Sequence, residues 1–114
     1  MVIALTSFSH LLKFFSEISI LFFDLELKKY FHSEFKTFNE REILTKSGKT
    51  LIPDKLVFLQ RNKVGIIDYK TGKKNNAHKQ QLNIYEEALK NMGIITHEKV
   101  LIYTDNKIEV EIFK

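Results

Sequence analysis

Residues 64–70 of the chain read Val-Gly-Ile-Ile-Asp-Tyr-Lys, and most of the predicted fold follows from this stretch. Its apolar start is typical of a strand that is buried on both faces. Because alternate side chains of a strand point to the same face, Asp68 and Lys70 share one face at its end. The stretch therefore predicts a buried strand over residues 64–69 that presents an acid and an amine together.

Two more strands are predicted before this one, and the three together form an antiparallel meander. Residues 38–45 form the first strand, and a polar turn follows in which Gly48 can adopt a positive φ. Residues 50–59 form the second strand. A bulge or an edge position is expected at Pro53, because proline has no N–H to donate to a strand ladder.

The hairpin of the second and third strands is predicted to bring acidic residues together. Asp54 lies fourteen positions before Asp68, and a short turn between their strands places the two side by side. Two carboxylates suit a hard divalent cation such as Mg²⁺, which would polarise a phosphate and lower the pKa of a bound water. Lys70 would position or deprotonate that water, or stabilise the developing charge. The alternative is a solvated ion pair at a strand end.

The rest of the chain is predicted to add one helix and one or two strands. Apolar residues recur at helical spacing over residues 77–91, and Asn75 or Asn76 is placed to cap the helix. Strands are predicted over residues 99–104 and 107–113. The expected fold class is α/β in an α+β arrangement, in the order helix, three strands, helix and one or two strands.

The N-terminal segment is rich in Leu, Ile and Phe from residue 2 to residue 23. Lys13, Glu17 and Asp24 interrupt it too often for a spanning helix of about 20 apolar residues, and it lacks the pattern of a secretory signal. We interpret it as a helix that covers the core, with an interfacial membrane helix as the alternative. A second helical stretch is predicted over residues 22–31.

The composition fits one folded domain. The chain has 114 residues, a net charge of +4 and no cysteine. The lack of cysteine excludes a disulfide scaffold and a thiolate metal site, and it fits a reducing, cytoplasmic location. The mild basic excess suits a polyanionic partner and does not by itself establish one. We expect a single domain over residues 1–114, with a helical part over 1–36, a core over 38–114 and no membrane partner.

Three segments, taken in this order, resemble the C-terminal nuclease domain of RecB/AddA-type helicase–nucleases, in the PD-(D/E)XK superfamily. They are Ile-Pro-Asp-Lys-Leu-Val at 52–57, Val-Gly-Ile-Ile-Asp-Tyr-Lys-Thr-Gly at 64–72, and the stretch from His-Lys-Gln-Gln at 78–81 through Tyr85 to Met92 and Gly93. The resemblance covers residues 38–110. It implies a restriction-endonuclease-like core, with the N-terminal helix or helices packed on the sheet, and hydrolysis of DNA in repair or recombination.

The resemblance also implies roles for residues at the predicted carboxylate site. Asp54 and Asp68 match the two metal-binding aspartates of the family, and Lys70 matches the catalytic lysine. The carbonyl oxygen of Tyr69 would complete the shell of a Mg²⁺ or Mn²⁺ ion. Glu40 matches a further carboxylate that the family often has near this point, and Glu42 is the other candidate.

Residues on the predicted helix and its preceding loop are expected to support this site. Gln81 and Tyr85 match a Gln-x-x-x-Tyr signature and share one helix face at i and i+4, which in the family lies beside the active site. For Tyr85 alone, core packing is the alternative. Basic residues near the same end are expected to hold DNA phosphates: Lys73, Lys74, His78 and Lys79.

The chain also departs from the family pattern. The family has a metal-binding histidine on an upstream helix, and neither His10 nor His32 has that sequence context. The family domain is longer at its N-terminus, so this chain resembles a truncated version. A catalytically inactive module that binds DNA or a helicase partner is therefore the main alternative. A third possibility is an unrelated α/β domain whose N-terminal helix mediates oligomerisation.

Overall fold

The structure, a computed structural model, describes residues 25–31, 34–105 and 108–114. In chain order its elements are the helix α1 (Leu25–Lys28) with a 3₁₀ turn (Lys29–Phe31), the strands β1 (Lys36–Asn39), β2 (Ile43–Leu44), β3 (Thr50–Leu51), β4 (Lys55–Gln60) and β5 (Lys63–Lys70), the helix α2 (Asn76–Asn91), and the strands β6 (Ile95–Tyr103) and β7 (Glu109–Phe113). Five strands form a mixed sheet in the order β1-β4-β5-β6-β7, and β2 pairs with β3 separately. The expected α+β arrangement is therefore present.

Strand β5 is the centre of the sheet, as its apolar sequence predicts. It pairs antiparallel with β4 and parallel with β6. The side chains of Ile66 and Ile67 are fully buried although they point to opposite faces. A parallel pair needs a crossover connection, and α2 supplies it between β5 and β6.

Two apolar clusters cover the two faces of the sheet. Helix α2 packs Leu82, Tyr85 and Leu89 against one face, together with Val64 and Ile66. The segment of α1 and its 3₁₀ turn packs against the other face. That second cluster contains Leu27, Tyr30, Val57, Ile67, Val100 and Ile102. The predicted packing of N-terminal helical structure on the sheet is thus confirmed for residues 25–31.

A glycine allows the N-terminal segment to approach the sheet closely. A Cβ atom added to Gly65 would lie 2.3 Å from Cε1 of Tyr30. The ring of Tyr30 therefore occupies the space that a side chain at position 65 would take. Its hydroxyl donates to Oε1 of the buried Glu98 at 2.5 Å, and Lys29 Nζ donates to the same oxygen at 2.6 Å.

The predicted antiparallel meander is present, since β4 pairs antiparallel with both β1 and β5, but its first two strands are shorter and interrupted. The predicted strand over residues 38–45 ends at Asn39, because Glu40 has a φ of 51° and turns the chain out of the sheet. The predicted strand over 50–59 is interrupted around Pro53 and resumes as β4. Between these breaks the chain forms the small β2–β3 hairpin, so β1 pairs directly with β4.

Later elements lie close to their predicted positions. Asn75 caps α2, and its side chain accepts a hydrogen bond from the main-chain N–H of Ala77. Strand β6 begins at Ile95, four residues before the predicted start at 99, because its first part pairs with the start of β5.

The predicted helix over residues 22–31 is found where it is described, as α1 and its 3₁₀ turn. The predicted helix over the apolar residues 2–23 lies outside the described residues. Within the described residues, no helix has the length and apolar composition needed to cross a membrane.

Candidate metal centre

Asp54 and Asp68 lie side by side at the end of the β4–β5 hairpin opposite its turn. Asp54 immediately precedes β4, and Asp68 lies near the end of β5. The main-chain N–H of Asp54 donates to Oδ1 of Asp68 at 2.8 Å. In return, the main-chain N–H of Tyr69 donates to Oδ2 of Asp54 at 2.8 Å. Each carboxylate is therefore fixed by the backbone of the neighbouring strand segment, and the two acidic groups lie together as predicted.

The environment of Asp68 disfavours its negative charge. The residue is 2% exposed. Burial raises the pKa of Asp68 to about 6, and the neighbouring charge of Asp54 adds to the rise. The hydrogen bond from the Asp54 main chain and the charge of Lys70 lower the same pKa by a smaller amount. A cation bound to both carboxylates would offset their repulsion, so the electrostatics of the pair fit a positively charged ligand.

The donor set also fits a hard divalent cation. A carboxylate has about four lone-pair sites. The hydrogen bond from Asp54 and the contact with Lys70 occupy one site on each oxygen of Asp68, so this group keeps acceptor capacity. Oxygen donors of this kind are those that Mg²⁺ and Mn²⁺ prefer.

Lys70 lies beside the carboxylates on the same face of β5. Its Nζ is 3.4 Å from Oδ2 of Asp68 and donates to Oε1 of Gln81 at 2.5 Å. Its main-chain carbonyl accepts from the main-chain N–H of Thr104 at 3.0 Å, at the end of the parallel strand β6. Gln81 of α2 therefore holds the side chain of Lys70, and Thr104, directly after β6, holds its main chain.

Tyr85 lies one helical turn after Gln81 and is 3% exposed. Burial raises the pKa of its phenol, and the charges of Asp68 and Asp54 raise it further, while a hydrogen bond with Gln81 opposes the rise. The phenol therefore stays protonated beside the carboxylates. The predicted helix face with Gln81 and Tyr85 does face the carboxylate pair, and Tyr85 also belongs to the apolar core.

The two candidate glutamates are arranged differently. The main-chain N–H of Glu40 donates to the carbonyl oxygen of Asp54 at 3.0 Å, so its backbone adjoins the site, and its side chain is exposed. Glu42 is exposed in the segment between β1 and β2. Among the described residues, no group of three or more His, Cys, Asp or Glu side chains is arranged to hold a metal ion. His10 and His32 lie outside the described residues.

The basic residues after β5 do not all face the carboxylates. Lys74 forms an ion pair with Glu109 of the edge strand β7 at 3.1 Å. Lys79 lies over the ring of Phe113, with Nζ 4.7 Å from its centroid. Lys73 is exposed on the loop before α2. The basic side chains are therefore spread from the loop to the edge of the sheet.

His78 is linked to the neighbourhood of Lys70 through Tyr103, a residue that the sequence did not single out. Its Nδ1 is 3.0 Å from the hydroxyl oxygen of Tyr103, the last residue of β6. Tyr103 is the register partner of Lys70 in the parallel β5–β6 pair. Tyr103 was missed because the predicted strand carried no information about which neighbour it would pair with or in which direction.

Comparisons with known proteins give no family assignment. No protein-family model matches the chain, and no curated protein matches it significantly. Among solved structures, it is similar to one described as "Crystal structure of SSO0001", with 20% sequence identity and a TM-score of 0.48. The similarity covers 93% of this chain and 52% of that one, so this chain spans about half the length of that protein. The site is therefore interpreted from its own geometry.

Proposed function

We propose that this protein is a metal-dependent nuclease that hydrolyses DNA phosphodiester bonds. The observation that carries the proposal is the reciprocal contact of Asp54 and Asp68, with the Lys70 ammonium 3.4 Å from one of the carboxylates. An acidic pair beside a cation at the end of a buried strand matches the charges of a phosphodiester bound through a metal ion.

The residues that would hold the ion are Asp54, Asp68 and the carbonyl oxygen of Tyr69, as the resemblance to the PD-(D/E)XK superfamily implies. The ion would be Mg²⁺ or Mn²⁺, because all of these donors are oxygens. When bound, such an ion supplies charge stabilisation at the phosphate and a bound water of lowered pKa.

The other residues of the site would orient the Lys70 ammonium group and stabilise negative charge on the phosphate. Gln81 accepts from Lys70 Nζ and so fixes the direction of the ammonium group. Lys70 then lies where it can stabilise negative charge that develops on a phosphate held beside Asp68. Tyr85 supports Gln81 from the next helical turn and closes the core beneath the carboxylates.

The proposed substrate is DNA bound mainly through its phosphates. The net charge of +4 and the exposed Lys73 on the loop after β5 favour a polyanion. The sequence contains no helix-turn-helix or zinc-finger pattern for reading bases, so cleavage should have little sequence preference. We place the activity in cytoplasmic DNA repair or recombination, with a helicase subunit or domain as a partner.

A second candidate function is a non-catalytic module that binds DNA or a helicase partner. It is favoured by the small number of ligands, since the described residues offer two carboxylates and no third His, Cys, Asp or Glu arranged with them. This candidate differs from the first in one measurable respect, because it predicts DNA binding without hydrolysis.

The experiment is cleavage of end-labelled single- and double-stranded DNA with Mg²⁺, Mn²⁺ or Ca²⁺. We expect cleavage with the first two ions and its loss in Asp68→Asn. The exposed Asp105 provides a matched control, and Asp105→Asn should cleave like the wild type. DNA binding without cleavage under every ion would favour the non-catalytic module, and equal cleavage by Asp68→Asn would disprove the proposed site.

A further inference from the structure

A hydrogen-bonded histidine adjoins the proposed active site. His78 lies in the first turn of α2, three residues before Gln81 and on the same helix face. Gln81 accepts from Lys70 Nζ, and the hydroxyl of Tyr103 lies 3.0 Å from Nδ1 of His78. Since Tyr103 and Lys70 are register partners on neighbouring strands, the imidazole lies at the same end of the sheet as the ammonium group.

The surroundings of Tyr103 determine which nitrogen of His78 carries the proton. The phenol oxygen is hydrogen-bonded to the main-chain N–H of Asn75 and to the carboxylate of Glu111 on β7. A phenol has one proton to donate, and a carboxylate is a stronger acceptor than an imidazole nitrogen. The phenol therefore donates to Glu111 and accepts from Nδ1–H of His78, which leaves Nε2 with a lone pair.

The ammonium group of Lys70 is held by two contacts. Its Nζ donates to an amide oxygen of Gln81, which can only accept, and forms an ion pair with Asp68. Both contacts use Lys70 as a hydrogen-bond donor and a positive charge. An imidazole is the side chain that most often takes the proton of an attacking water.

We infer that His78 is the proton acceptor in the hydrolysis, acting through Nε2. This inference rests on the proposed nuclease function. The oxygen of water forms a bond to phosphorus while the opposite P–O ester bond breaks. One proton of that water passes to Nε2 of His78, and the departing alkoxide takes a proton from solvent. The imidazolium then returns its proton to solvent. Tyr103 and Glu111 act as positioning residues that hold the tautomer.

The charges around His78 are consistent with a neutral imidazole. Burial lowers its pKa from the ordinary value, the positive charge of Lys70 on β5 lowers it further, and Glu111 on β7 opposes both. Of the other groups near it, Tyr103 on β6 is a neutral phenol whose pKa is raised by burial, and Lys74 on the loop is paired with Glu109. At neutral pH the ring therefore retains the lone pair that the reaction needs.

The test uses single-turnover DNA cleavage by the full chain with saturating Mg²⁺. In His78→Asn, the amide keeps an N–H for Tyr103 but has no second ring nitrogen. We expect the cleavage rate to fall by about 10²- to 10⁴-fold, with DNA affinity unchanged. His97→Asn is the matched control, because His97 lies 3.4 Å from Glu98 on the other face of the sheet, and it should cleave like the wild type.

Chemical rescue separates a proton acceptor from a structural residue. In His78→Ala, added imidazole should restore part of the rate, because the free base can enter the vacated space. The added imidazole should bind Mg²⁺ only weakly, because Mg²⁺ prefers oxygen donors. A slow His78→Ala variant that imidazole does not restore would overturn the inference in favour of a structural role.

The remaining outcomes distinguish the two proposals. A wild-type protein that does not cleave DNA overturns the nuclease function and this inference together. The role of His78 alone would be overturned by a different result. In that case the wild type cleaves, Asp68→Asn is inactive, and the rate of His78→Asn stays within about twofold of the wild type.

Discussion

The main-chain N–H of Asp54 donates to Oδ1 of Asp68 at 2.8 Å, so the proposed metal site is built into the backbone of the hairpin. The return bond from Tyr69 N–H to Oδ2 of Asp54 completes the arrangement. Neither carboxylate can rotate away without losing a hydrogen bond to the neighbouring strand segment. The acidic pair is therefore already in place before any ligand binds, which reduces the ordering cost of binding.

Replacement of Lys70 should separate metal binding from cleavage. Lys70→Gln removes the ammonium group that faces Asp68 and leaves both carboxylates, so we expect Mn²⁺ to bind and DNA cleavage to fall by about 10²-fold or more. Lys63→Gln at the other end of β5 is the control and should retain activity. Normal cleavage by Lys70→Gln would exclude a catalytic role for this residue.

The buried charge of Asp68 should make stability depend on pH in the absence of metal. The folded state raises the pKa of Asp68 from 3.8 to about 6, so it binds more protons than the unfolded state within that window. The free energy of unfolding should therefore fall as pH rises from about 4 to about 6, by up to about 3 kcal/mol. Urea unfolding with EDTA present measures this. In Asp68→Asn the free energy of unfolding should not decrease over this pH range. An identical decrease in the variant would contradict the role of Asp68.

The contact between Lys70 and Gln81 should matter for rate and not for folding. Gln81→Leu removes the acceptor at 2.5 Å from Nζ, so the ammonium group loses its fixed direction. We expect a lower cleavage rate with nearly unchanged thermal stability, because the half-buried leucine can pack on the helix surface. Gln80→Leu changes the exposed neighbour and provides the control. Equal rates in the two variants would show that Gln81 does not position Lys70.

Gly65 should be required for packing of the N-terminal segment. A methyl group there would lie 2.3 Å from the ring of Tyr30, so Gly65→Ala should lower the free energy of unfolding by about 1–3 kcal/mol. In a Tyr30→Leu background the same substitution should cost less, because the ring is gone. Urea unfolding of the four proteins in this double-mutant cycle gives the coupling, and additive effects would disprove the contact.

The central hairpin was predictable because its signals are local. The apolar run of β5 and the spacing of Asp54 and Asp68 across a short turn determine both burial and proximity, and the structure has both. The face of α2 with Gln81 and Tyr85 was predictable for the same reason, since helical periodicity alone places them together.

Features that depend on long-range contacts were not predictable. Glu40 has a φ of 51°, and its N–H bonds to the carbonyl of Asp54, so a tertiary contact ends β1 where strand propensity would continue it. The parallel register that places Tyr103 beside Lys70 depends on how α2 crosses the sheet, and no local pattern encodes it. The position of Tyr103 beside Lys70 could therefore be identified only from the structure.

The most direct test of the account is a Mn²⁺ titration followed by calorimetry, on the wild type, Asp54→Asn, Asp68→Asn and Asp105→Asn. If Asp54 and Asp68 share one ion, the wild type and Asp105→Asn should bind Mn²⁺ with the same affinity, and each of the other two variants should lose that binding. Undiminished Mn²⁺ binding by both Asp54→Asn and Asp68→Asn would contradict the proposed metal centre.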